Sequence, residues 1–145
     1  MPVAPLPEIR FTAHTLSLLE DEFARIIALD GRSSDDDRRA LMLQFAIDPQ
    51  DGEEPYLEIP VQQFAAAGGL RKFVIRGDQV EVTVDGEAAE RLSGIHRWTI
   101  SVPENRRAEL IAFSTQAFVR HPQLLQIQLS EEIQRRANHT RQQES

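Results

Sequence analysis

Short segments in which apolar and polar residues alternate, turn-forming residues between them, and one later stretch with helical spacing predict an α+β fold. The expected architecture is a curved, mostly antiparallel sheet with one longer C-terminal amphipathic helix packed on it and a short helix between strands. A chain of 145 residues has the length of one domain. It divides into an extended N-terminal segment over 1–7, a single α+β domain over 8–129 and a polar C-terminal tail over 130–145.

Pro2, Pro5 and Pro7 lack the amide a ladder needs, so the first residues read as an extended lead-in. Ile9, Phe11 and Ala13 then alternate with Arg10, Thr12 and His14, the pattern of a strand with one wet face that runs to Leu19. An acidic turn, Glu20-Asp21-Glu22, separates it from a second strand over Phe23 to Leu29, which the turn signal Asp30-Gly31 closes. The polar stretch from Gly31 to Arg39 is expected to be an exposed loop. Leu41, Leu43, Phe45 and Ile47 share one face of a third strand. Tyr56 to Gln62 supplies a fourth, placed at an edge or bulged because Pro60 removes a donor.

Phe73 to Ile75, the turn Arg76-Gly77-Asp78 and the alternating Val80, Val82 and Val84 describe a β-hairpin. Asp85 is placed to cap a short helix over Gly86 to Ser93, which Gly94 ends. Trp98, Ile100 and Val102 face inward from a further strand, and Trp98 is read as core. Leu110, Ile111, Phe113, Ala117 and Phe118 give the segment from Glu104 to Arg120 a helical spacing that Pro122 stops. Gln123 to Leu129 suits a strand or a helix equally, and Ser130 to Ser145 holds at most a short, fraying helix.

Composition and motifs narrow the chemistry. The chain has no cysteine, which excludes disulfides, thiolate metal sites and a cysteine nucleophile. His14, His96, His121 and His139 never fall at the i, i+2 or i, i+4 spacing that brings two imidazoles to one metal. Ser33-Ser34 sits among carboxylates that oppose oxyanion formation, and no nucleophile elbow is present. Gly68-Gly69 before Arg71-Lys72 lacks phosphate-loop spacing and reads as a turn or bulge where strands approach closely. Asp48, Asp51 and Gly52 miss the register of a calcium loop. The expectation is therefore a protein that is not an enzyme and takes no metal or cofactor.

Charge is the most pointed feature. Residues 20–54 hold eleven acids against four bases, so this window alone carries the chain's net charge of −7. Its candidate partner-binding residues are Glu20, Asp21, Glu22, Asp35, Asp36, Asp37, Asp48, Asp51, Glu53 and Glu54. An acidic surface attracts a basic protein and repels phosphate, so nucleic acid is not expected as a partner. No run is long and apolar enough for a membrane span, and the N-terminus lacks the pattern of a secretory signal, so a cytoplasmic location with no membrane partner is expected. If the second and third strands pair as a hairpin, Glu20 to Glu22 and Asp48 to Glu54 share one end of it and Asp35 to Asp37 occupies the other.

The strand Leu41-Met42-Leu43-Gln44-Phe45, the acidic loop after it, Tyr56 entering a strand, Gly68-Gly69 before the hairpin, Ala88-Ala89 in a short helix ending at Leu92-Ser93-Gly94, and the strand from Trp98 to Val102 together form a larger pattern. Over residues 8–120 this pattern resembles the bacterial immunity protein 10 family of polymorphic toxin systems. The resemblance implies a cytoplasmic, non-enzymatic antidote that binds a cognate protein toxin, for example a nuclease with a basic cleft, and blocks it. The alternative reading is a non-enzymatic adaptor or chaperone-like module in a secretion or regulatory assembly.

Overall fold

A computed structural model of the chain describes residues 7–48, 50 and 54–128. The expected N-terminal segment, apart from Pro7, and the expected tail lie outside the described residues. Among the described residues nine strands are present: β1 (Glu8–Glu20), β2 (Ala24–Arg32), β3 (Arg38–Ala46), β4 (Tyr56–Ile59), β5 (Phe64–Ala67), β6 (Leu70–Arg76), β7 (Gln79–Val84), β8 (Arg97–Ser101) and β9 (Leu125–Gln128). Two helices accompany them, α1 (Gly86–Arg91) and α2 (Arg107–Ala117).

The expectation of a curved, mostly antiparallel sheet under one longer amphipathic helix is corrected. All nine strands join one mixed sheet in the order β5-β4-β3-β2-β1-β8-β7-β6-β9, with parallel pairs at β1–β8 and β6–β9. The helical stretch is short. After Pro103 the chain makes a 3₁₀ turn over Glu104–Arg106, and the α-helix occupies only eleven residues. Leu110, Ser114 and Ala117 are its buried positions, a narrow stripe with two small residues, while Ile111 and Phe113 are only half-buried. Leu110 is thus the one large side chain that this helix buries fully, too little to cover a face of the sheet. Phe118 leaves the helix to stack edge-on against Phe45, at 4.7 Å between ring centroids, and tilted against Phe73 at 5.2 Å.

The core forms between parts of the sheet itself. β5 and β6 stand first and eighth in the order, a separation of roughly 34 Å if the strands lay flat at about 4.8 Å each. Only Gly68 and Gly69 join them, a link that spans at most about 11 Å. The sheet therefore doubles back, and its two halves enclose one apolar cluster with Ile27, Leu43 and Leu57 on one side and Phe73, Val82 and Trp98 on the other. Trp98 is 1% exposed, a core residue as its alternation indicated.

The glycine link is tight for a physical reason. Gly68 and Gly69 have φ of 120° and 90°, and a Cβ on Gly69 would stand 2.5 Å from the Ala88 Cβ. The Gly69 carbonyl accepts from the Asp85 N–H at 2.8 Å, and the Asp85 carboxylate in turn accepts from Ala88 N–H, capping α1 as expected.

Strand bounds differ from the sequence reading by a few residues at several ends, and most at the following places. β2 runs through Asp30-Gly31 to Arg32, because Gly31 packs directly on the backbone of Thr12 and Ala13 where β1 shifts register. β4 ends at Ile59 and Pro60 begins a turn, so the edge position passes to β5, a strand that its Ala65-Ala66-Ala67 composition concealed. Gln123 to Leu129 resolves into a 3₁₀ turn over Pro122–Leu124 and β9, which pairs in parallel with β6, while Leu129 lies outside the described residues.

Two alanine substitutions are expected to act in opposite directions. Gly31→Ala places a Cβ 1.7 Å from the Thr12 carbonyl oxygen and should cost about 3 kcal/mol or more in urea unfolding. Gly86→Ala meets nothing within 4 Å at the start of α1 and should stabilise by up to about 1 kcal/mol.

Candidate acidic interface

Pairing of β2 with both β1 and β3 sorts the candidate acids. Glu20, Asp21 and Glu22 occupy the β1–β2 turn, and the Ile47 N–H donates to the Phe23 carbonyl at 2.9 Å, so Asp48 leaves β3 beside that turn. Asp35, Asp36 and Asp37 occupy the β2–β3 turn at the far end of the nine-residue strand β2, roughly 27 Å away. Glu54 returns toward Phe45, Ala46 and Arg120 and lies against Gly68. Asp51 and Glu53 lie outside the described residues.

The two ends differ in how far their charge is compensated. In the β2–β3 turn Asp36 adopts a left-handed φ of 65°, Ser33 N–H donates to the Asp37 carbonyl at 3.0 Å, and the Ser33 hydroxyl donates to the Asp35 carboxylate. That hydroxyl, with the backbone of Asp35 itself, holds the Asp35 carboxyl below its ordinary value. Arg32 faces Asp36 and Arg39 faces Asp37, each at 3.8 Å, while Arg38 pairs with Asp30 at 2.8 Å. Asp30, Asp36 and Asp37 thus each face an arginine, and Asp35 is held by the Ser33 hydroxyl, so most of the charge at this end is answered locally.

At the β1–β2 end Glu20 pairs with its cross-strand neighbour Arg25. Asp21 builds the turn: its Oδ1 accepts from the backbone N–H of Phe23 at 2.7 Å and of Ala24 at 2.8 Å. Those two bonds, the Phe23 one first, hold its carboxyl below the ordinary value. The Asp48 carboxylate similarly accepts from Gln50 N–H at 2.9 Å. Glu22 is exposed and has no ion-pair partner among the described residues. Arg120 donates to the carbonyls of Ala46 and Ile47, which fixes the exit of β3 and spends that cation on the backbone.

Two apolar side chains complete this end and were not legible as site residues. Phe23 is 62% exposed at the tip of the turn and Leu19 is 57% exposed on the strand leading into it. The sequence reading placed Phe23 inside a strand. The signal for the other assignment was its position directly after three acids, where the Asp21 bonds turn it outward. An exposed aromatic at the sheet end that also carries Glu20, Glu22 and Asp48 has the composition of an interface anchor with a polar rim.

The described residues contain no group of three or more His, Asp or Glu placed to share a metal ion, and His14 is exposed beside the register shift of β1, away from the acidic end. No helix among the described residues is long and apolar enough to cross a membrane. Comparison with models of protein families, with curated proteins and with solved structures finds no match.

The Asp21 bonds carry a pH signature. A carboxyl depressed below its ordinary 3.8 adds stability that is fully present above that value and is lost as pH falls through the lower, folded value. Acid unfolding of Asp21→Ala should therefore show a shallower loss of stability below about pH 4 than the parent. Asp21→Asn retains the acceptor oxygen and should keep the turn, read as an unchanged Phe23 environment by NMR.

Proposed function

We propose that this protein is a non-enzymatic binding protein of the immunity type, which neutralises a cognate bacterial toxin in the cytoplasm by covering a basic surface on it. The observation that carries the reading is that the solvent-exposed Phe23 and Leu19 lie at the same end of the sheet as Glu20, Glu22 and Asp48. Such an arrangement couples two effects. Buried at the centre of a contact, an aromatic supplies affinity, while rim carboxylates speed the encounter with a cationic partner and select its orientation. A toxin that acts on nucleic acid needs a cationic cleft, and acids at the tip of a hairpin suit such a cleft in place of phosphates.

The sequence resemblance to the immunity protein 10 family points to the same class of partner. The far turn with Asp35 to Asp37 is assigned a smaller part, since Arg32 and Arg39 answer the charges of Asp36 and Asp37 locally.

The direct experiment is co-expression with the product of the adjacent upstream gene. Rescue of growth and a stable one-to-one complex are expected; a non-toxic product that instead binds as part of a larger assembly would favour the adaptor reading. Within the complex, Phe23→Ala should weaken binding by about 2 kcal/mol, near thirtyfold, mainly through faster dissociation. Glu22→Gln with Asp48→Asn should slow association and flatten its salt dependence, whereas replacing Asp35, Asp36 and Asp37 with asparagine should leave both nearly unchanged in stopped-flow measurements.

A further inference from the structure

β1 is longer than either neighbour requires, and its neighbours hardly overlap along it. β8 pairs with Glu8 to Thr12 and β2 with Thr12 to Glu20, so on the β2 side the stretch Glu8 to Phe11 has no strand partner among the described residues. On the opposite orphan edge Arg106 Nη1 donates to the Leu16 carbonyl at 3.0 Å. No such bond is seen over Glu8 to Phe11 among the described residues. His96 N–H donates to the Pro7 carbonyl at 3.0 Å, which directs Pro7, Ile9 and Phe11 toward β8. Strand alternation then sends the N–H and C=O groups of Glu8 and Arg10 to the open side.

A cleft occupies the place that β2 vacates beyond Arg32. Its outer part is polar, between Glu8, Arg10 and Ser33 to Asp35, and its inner part is apolar, lined by Phe11, Ile59, Val61, Ile95 and Trp98. Ile9 and Arg39 line both parts, which places the two parts side by side. The Arg39 Nε is buried there without a hydrogen-bond partner, and the nearest carboxylate oxygen, on Asp37, stands 3.8 Å from Nη2, beyond hydrogen-bond range. A guanidinium N–H so placed lacks the acceptor that a carboxylate supplies in fork geometry.

We propose that this cleft binds the C-terminus of an extended peptide. The peptide adds as a short strand to the free edge at Glu8 and Arg10, its last side chain enters the apolar part, and its terminal carboxylate engages Arg39. The inner space has room for little more than a water or two, which restricts that side chain to a short branched one such as valine. The cleft lies at the Asp35 to Asp37 end, opposite Phe23, so this site and the acidic interface can be filled together and fail independently.

Trp98 is the only tryptophan and lines the cleft, so its emission reports occupancy. The probe is acetyl-Thr-Lys-Thr-Thr-Val, titrated as the free acid and as the C-terminal amide. Saturable binding of the acid is expected, with at least tenfold weaker binding of the amide and a similar loss for the acid in Arg39→Gln. Arg10→Pro, which removes the free edge donor, should lose the acid as well; Arg39→Gln carries the test if Arg10→Pro shifts the urea midpoint. No saturable binding, equal affinity for acid and amide, or an affinity that Arg39→Gln leaves unchanged would overturn the proposal. A Trp98 signal that varies with protein concentration in the absence of peptide would assign the edge to a second copy of the chain and overturn it too.

Discussion

The double pairing of β1 holds the molecule together. Its second half hydrogen-bonds β2 in antiparallel fashion and begins the β2 to β5 half of the sheet; its first half bonds β8 in parallel and begins the β8, β7, β6, β9 half. Between them the register shifts around His14, and Gly31 gives way to the β1 backbone at that point. Without this strand the chain would be two four-stranded sheets tied by two glycines. With it, Phe11, Ala13 and Leu16 run through the apolar cluster that both halves share.

That constraint also sets out the surface. Because β2 pairs with β1 and β3 along its whole length, the acids that one sequence window gathers are driven to opposite ends of the strand. The ends then take different characters from their neighbours: arginines around Asp35 to Asp37, and exposed carbon with less compensated carboxylates around Phe23. Net charge by window was therefore a coarse guide, and the location of each compensating arginine decides which acids project a field.

Local features of the fold were legible in the sequence and long-range ones were not. The β6–β7 hairpin declared itself by its valine alternation and Gly77, and Asp85 and Gly94 marked α1, because these signals act within a few residues. The placing of the acidic turns followed from one hairpin pairing. By contrast, the parallel pairs β1–β8 and β6–β9 join segments far apart in the chain and leave no local mark. The helix from Glu104 was overread since Phe113 and Phe118 satisfy helical spacing, yet Phe118 owes its position to Phe45 and Phe73. Asp30-Gly31 imitated a turn because the same small residue serves a close strand crossing. At the candidate site the acids were visible, but not the outward turn of Phe23, which depends on which amides Asp21 accepts from.

The parallel contact of β1 with β8 also orders events during synthesis. Thr99 and Glu8, bonded at 2.8 Å across that contact, are 91 residues apart. At ribosomal speeds of about 5–20 residues per second, the first half of β1 waits roughly 5–20 seconds for its partner. Through that interval the strand destined for the middle of the sheet is an open edge on a nascent chain, still able to pair with whatever extended segment reaches it first.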